Sequence, residues 1–256
     1  MENSINIKYL LHRKLNYASL KATQLENSIS AYLGYSKSFD LIGSHSKGKT
    51  VITYKMKILM EPDYTGWSIL LGDLAHTLRS ILDNLIYNLS DTPCRDNMFP
   101  IFTSKVEYKQ KEEKCLAGIS NDDIFNTVEN LQPYKIDNPE KHILELLREI
   151  DNSDKHRSNC IALFLPTEIS VNPEAYFKTK ENTQKSKITL NGKPLHNGCW
   201  VLKYKFQRPF VTFSDHPQIQ YQVMVNVKEN WYPIKELTNN LLTQTFDISN
   251  KLGIYL

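Results

Sequence analysis

A chain of 256 residues with 41% apolar and 23% charged residues carries enough apolar surface for a packed core, which excludes a disordered or low-complexity protein. Its longest apolar runs, such as Ile69-Leu70-Leu71 and Ile161-Ala162-Leu163-Phe164-Leu165, are too short for a membrane span, and no signal-peptide core precedes Arg13 and Lys14. A cytoplasmic protein without a membrane partner is expected, and Cys94, Cys115, Cys160 and Cys199 are expected as reduced thiols because no Cys-x-x-Cys pair occurs.

From Ile5 to about Tyr35, Leu11, Leu15, Ala18, Leu25, Ile29 and Leu33 recur at helical spacing and predict a long amphipathic helix. Gly34 ends it, and the stretch from Gly43 to Gly48 is expected as a loop. Thr50 to Leu59 alternates, with Val51, Thr53, Lys55 and Lys57 opposite Ile52, Tyr54, Met56 and Ile58, the period of a strand. Pro62 and Gly66 break the pattern, and a second helix is predicted from about Ser68 to Ser90, stopped by Asp91-Thr92-Pro93. Phe99-Pro100-Ile101-Phe102 then reads as an extended apolar segment packed on the core. Shorter helices are predicted near Lys105–Cys115 and Asp122–Asn130, the second capped by Ser120 or Asn121. After a break at Gln132-Pro133-Tyr134, Pro139 opens a helix running to Asn152 or beyond.

Ile161 to Val227 reads mostly as strands and turns, with hairpin signals at Asn191-Gly192 and Asn197-Gly198. A closing helix from about Ile234 to Leu252 bears Leu237, Leu241, Leu242, Phe246 and Ile248 on its apolar side. The expected fold class is α+β, a helical bundle of about four main helices with an adjoining, mostly antiparallel β-sheet. In this reading residues 1–159 are mainly helical with one early strand at 50–59, and 160–230 are β-rich. Residues 231–256 return as a helix to the bundle, all within one compact unit.

The net charge of +3 is unevenly placed. Lys178 to Arg208 holds eight basic residues against the single acid Glu181, a local charge of +7 that leaves −4 for the rest. Tyr176, Phe177, Trp200, Tyr204 and Phe206 lie among these charges, which suits RNA or another polyanion at the 178–208 segment. Lysine alternating with tyrosine on a half-solvated strand has the same composition, so an ordinary sheet surface is the competing reading.

Two helical stretches carry candidate chemistry. In Gly72–Leu85 the leucines form a buried stripe, while His76, Arg79, Asp83 and Tyr87 share a second strip at i, i+3, i+7 and i+11. That strip is either a partly buried polar network or a simple Arg79–Asp83 ion pair with His76 on the surface. In Leu144–Arg157, the cap-rich run Asp151-Asn152-Ser153-Asp154 lets the helix end, kink or restart. Asp154 is placed to orient His156, and Arg148, Lys155 and Arg157 to bind an oxyanion or phosphate.

The ordered set Gly-Asp-x-x-His-x-Leu-Arg-Ser-x-Leu-Asp (Gly72–Asp83), Phe-Pro-Ile (Phe99–Ile101), Leu-Gln-Pro-Tyr (Leu131–Tyr134) and Asp-Lys-His-Arg (Asp154–Arg157) resembles a widespread group of bacterial proteins with no settled activity. The resemblance covers roughly Trp67 to Asn159 and implies a bacterial or phage-related origin. Arg148 and His156 also resemble the Arg…His pair of the HEPN superfamily of helical-bundle ribonucleases, although seven residues separate them where that family has four to six. That second resemblance implies a homodimer and RNA cleavage without metal or cofactor. The 2′-hydroxyl would attack the adjacent phosphate, with His156 as acid or base and Arg148 or Arg157 stabilising the charge.

Three functional readings follow. The first is a nucleic-acid-associated defence or stress protein acting as a HEPN-like ribonuclease, with His156, Arg148 and Arg157 central and Asp154, His76, Arg79 and Asp83 supporting. In the second, the chain is a non-enzymatic binding protein and the same charged residues form a structural network. The third is a metal-dependent hydrolase using His76, His142, Glu145, Asp154 and His156. No phosphate-binding glycine loop and no Gly-x-Ser-x-Gly elbow occurs.

Overall fold

Leu71, Leu74, Leu78, Leu82, Leu85 and Leu89 recur every three or four residues, and that spacing winds Tyr64–Leu89 into a helix, α2, whose leucine face is buried. A computed structural model of the protein describes residues 7–156, 159–164, 186–210 and 219–256. The fold is α+β, with six helices and two antiparallel sheets of four and three strands among the described residues. In chain order these are α1 (Ile7–Gly34), β1 (Phe39–His45), β2 (Val51–Ile58), α2, α3 (Lys105–Cys115), α4 (Asp122–Asn130) and α5 (Ile143–His156). After them come β3 (Cys160–Phe164), β4 (Ser186–Leu190), β5 (Trp200–Phe206), β6 (Gln222–Val227), β7 (Asn230–Pro233) and α6 (Ile234–Gly253). None of the described helices is long and apolar enough to cross a membrane.

The chain divides into two compact units, the first made of Met1–Ser28, Thr65–Cys160 and Val225–Leu256. In it α1 runs antiparallel to α2. Lys14 donates to Ser80 Oγ at 2.8 Å, Lys21 meets Asp73 at 3.1 Å and Trp67 Nε1 donates to Ser28 Oγ at 3.0 Å, so numbers rise on one helix as they fall on the other. Asn121 caps α4 by accepting from Asp123 N–H, and Ser104 caps α3. Pro139 opens a short 3-10 turn, Pro139–Lys141, and α5 begins after it. On α6, Leu237, Leu241 and Ile248 are buried while Phe246 is 51% exposed, so the apolar face is narrower than the sequence suggests.

The second unit comprises Ile29–Tyr64 and Ile161–Met224 and contains the four-stranded sheet, in the order β1-β2-β5-β4. β1 stands where part of a loop is expected. It pairs with β2 in unbroken register from Phe39↔Ile58 to His45↔Ile52, with Gly43 opposite Tyr54. The alternation in β2 holds: Ile52, Tyr54 and Met56 are buried, joined on that face by Leu41, Leu202 and Tyr204. Both glycine turn signals fall in the single β4–β5 connection. There Gly198 has φ +79 and Asn197 Oδ1 accepts from Ile58 N–H.

Glu129 on α4 gathers three partners. Lys109 and Lys135 lie 3.0 and 3.2 Å from its carboxylate, and the Tyr134 hydroxyl donates to it at 3.0 Å. The Lys109 hydrogen bond, helped by Lys135 and Tyr134, draws its pKa down from 4.5 to about 2. A carboxyl depressed in the folded state stabilises above its unfolded pKa and loses that contribution as pH falls through the folded value. Wild type should therefore exceed Glu129→Gln in stability by a constant margin above pH 4.5, and the margin should shrink progressively toward pH 2. Urea unfolding of both proteins across that range measures it.

Candidate functional site

The sequence motifs converge on one stretch of backbone. Phe99-Pro100-Ile101-Phe102 is extended and belongs to no sheet, yet Phe99, Pro100 and Ile101 are buried. Buried peptide groups need partners, and here side chains supply them. Asp83 Oδ1 accepts from Phe99 N–H at 2.9 Å, and Arg79 Nη2 donates to Phe99 carbonyl oxygen at 2.7 Å. Arg79 and Asp83 lie 3.0 Å from each other, so the two α2 side chains form one clamp. Burial pushes the Asp83 carboxyl above its usual range, and the Arg79 guanidinium and the Phe99 N–H pull against that rise.

Gln132 completes the clamp from the other side. It is fully buried at the end of α4, where its Oε1 accepts from Phe102 N–H at 3.1 Å. Its Nε2 donates to the carbonyls of Pro100 at 2.8 Å and Val128 at 3.1 Å. Just upstream, Asn97 does the same for the preceding turn, accepting from Cys94 N–H and donating to Ala117 carbonyl oxygen. Gln132 and Asn97 were not among the candidate residues. A polar amide set between Leu131 and Pro133 was the signal for the first.

The two charged stretches do meet. His76 Nδ1 on α2 lies 3.2 Å from Asp151 Oδ1 on α5, the imidazole side chain 65% exposed and the carboxylate 5%. Asp151 itself was not a candidate. One turn away, a Cβ at Gly72 would collide with the Asp154 carboxylate, so glycine lets α5 approach α2 there. α5 continues through Asp151-Asn152-Ser153-Asp154 to His156 without a break. Tyr87, last on the predicted strip, is 46% exposed. The side chains of Lys155 and His156, and all of Arg157, lie outside the described residues.

Arg148 faces a different set of groups. It lies 2.7 Å from Glu145 and 3.2 Å from Glu149, and Lys228 reaches the same fully buried Glu145 at 2.6 Å and Glu140 at 2.5 Å. Burial opposes the Lys228 ammonium, but the hydrogen bonds it donates to Glu140 and Glu145 outweigh burial and raise its pKa. Along a continuous helix, Arg148 and His156 are about 12 Å apart in rise. His142 Nδ1 accepts from Leu144 N–H at 3.2 Å at the start of α5, and burial lowers its pKa. Among the described residues, no three His, Cys, Asp or Glu side chains gather as metal ligands. Of the basic segment, Lys187, Lys193, Lys203, Lys205 and Arg208 are described, while Lys178, Lys180 and Lys185 lie outside the described residues. The four cysteines are free, and burial raises the pKa of Cys115.

No family model, curated protein or solved structure matches this chain.

Replacing Gln132 by Ala strands Phe102 N–H and Pro100 carbonyl oxygen. The expected loss is about 2–4 kcal/mol of unfolding free energy. Asp83→Asn, which keeps an oxygen acceptor for Phe99 N–H, should cost less than Asp83→Ala. Urea midpoints at unchanged m-value give both comparisons.

Proposed function

We propose that this chain is a non-enzymatic binding protein in which most of the charged motif residues are structural. The observation that supports this reading is the clamp on Phe99–Phe102. Arg79 and Asp83 direct their polar groups at backbone, and Gln132 of the Leu-Gln-Pro-Tyr motif does so too. Groups held in this way are not available to a phosphodiester. Arg148 is likewise engaged by the carboxylates of Glu145 and Glu149, where phosphate would have to displace an opposite charge already in place.

One observation favours the ribonuclease reading. His76 presents a solvent-facing imidazole whose other edge is held by a buried carboxylate, Asp151, and such a pair is suited to acid–base work. In that reading His76 takes the role that the sequence gives to His156, and no step depends on Arg148.

The two readings separate in one experiment. Purified wild type, His76→Ala and His156→Ala are each incubated with a mixed RNA pool in EDTA, and RNA length is followed on a gel. The binding-protein reading expects intact RNA throughout, together with a lower melting temperature for Arg79→Ala, which removes the Nη2 that meets both Phe99 carbonyl oxygen and Asp83. Cleavage by wild type that is lost in either histidine variant would replace this reading with the nuclease.

A further inference from the structure

The four-stranded sheet turns its second face outward, and that face is basic. Pairing registers place Lys187 opposite Lys205, Lys203 opposite Thr53, and Lys55 opposite Trp200, with Lys57 one step beyond and opposite Asp40. Residues two apart on a strand are about 6.7 Å apart and neighbouring strands about 4.8 Å, so the five lysines form a diagonal track about 20 Å long across β4, β5 and β2. Four of them are exposed, Lys203 is half-buried, and none makes an ion pair among the described residues. Lys55 and Lys57 come from β2, outside the basic segment of the sequence.

Trp200 belongs to this face only because of a register shift. In a regular strand it would share the buried side with Leu202 and Tyr204. A bulge lies where β2 pairs with β5: Tyr54 faces Leu202, the next residue Lys55 faces Trp200, and Val201 is the extra residue. The bulge rotates Trp200 onto the lysine side, where Lys203 Nζ lies 4.4 Å from its ring centroid. Two features of this surface are costly for a sheet that faces only water. Like charges directly opposite each other repel, as at Lys187↔Lys205, and an indole is set among them rather than in the core.

We propose that this sheet face binds single-stranded nucleic acid, the lysine track following the phosphates and Trp200 stacking on a base. The inference rests on the binding-protein reading and names its partner class. A polyanion relieves the Lys187–Lys205 repulsion, and an aromatic among lysines suits unpaired bases, whose faces a duplex keeps stacked.

The test uses the full chain and a fluorescein-labelled 12-nucleotide single-stranded RNA, followed by anisotropy at several salt concentrations, with RNA integrity checked on a gel. Binding through five lysines gives a log–log salt slope of about −3.5, from roughly −0.7 per phosphate neutralised on a single strand. Lys55→Ala/Lys57→Ala and Lys203→Ala/Lys205→Ala should each flatten that slope by about 1.4. Trp200→Ala should weaken binding without changing the slope, and Lys111→Ala/Lys251→Ala should do neither. Circular dichroism confirms that each variant is folded.

RNA bound equally well by both lysine pairs and by Trp200→Ala would overturn the inference and leave the binding-protein reading standing. The same inference falls if RNA does not bind, or if anionic phosphatidylserine vesicles bind through these lysines and RNA does not. Degraded RNA overturns the binding-protein reading instead, whatever the slopes.

Discussion

The first unit depends on satisfying an extended backbone that has no neighbouring strand. Phe99–Phe102 lies buried beside α2, and a sheet would ordinarily meet its peptide groups. Here three side chains do so, from α2 and from the turn after α4, and all of them are motif residues: Arg79, Asp83 and Gln132. Leaving a buried peptide group unpaired costs more than a typical hydrogen bond gains. Any substitution at these positions is therefore felt at the packing of Phe99 and Ile101, whatever the charge of the newcomer. That makes a tightly patterned set of polar residues understandable without invoking a reaction.

A second constraint concerns Glu145. A fully buried carboxylate is tolerated when cations accompany it, and Arg148 and Lys228 both do. Lys228 reaches it from the two-residue β6–β7 turn, where Lys228 and Glu229 have φ of 48 and 65. Turns of this geometry favour Asn-Gly, because side chains are strained at positive φ. The ion cluster at Glu145 offsets some of that local strain, so a helix and a hairpin stabilise one another through one lysine.

Regular elements were legible where the side-chain period was clean. α3 and α4 have the bounds expected from their caps and breakers, and the alternation of β2 marked it as a strand. β1 was not legible. Only Leu41 of its seven residues is buried, so Asp40, Gly43, Ser44 and His45 carry no alternating signal, as befits an edge strand. The start of α2 at Tyr64 was hidden by Gly66, which reads as a breaker but lies inside the first turns. At the candidate site, the Arg79–Asp83 pair could be read from its i, i+4 spacing. Its target could not, because a backbone N–H sixteen residues from Asp83 and a carbonyl twenty residues from Arg79 leave no mark in the letters. Asp151 was read as a turn residue because its neighbours favour caps, and only the crossing of α2 and α5 shows it facing His76. The bulge at Val201 was equally silent, since an extra residue in a strand changes register without changing composition.

The interleaving of the two units bears on how the chain comes to fold during synthesis. The first unit draws on Met1–Ser28, Thr65–Cys160 and Val225–Leu256, with both stretches of the second unit made in between. On a ribosome, then, the α1–α2 pair and the Phe99 clamp emerge long before the hairpin that carries Lys228 and before α6. Glu145 must wait for that lysine until the chain is 83 residues longer. Contacts of such long sequence separation form slowly, so the earliest-made unit is also the last to close.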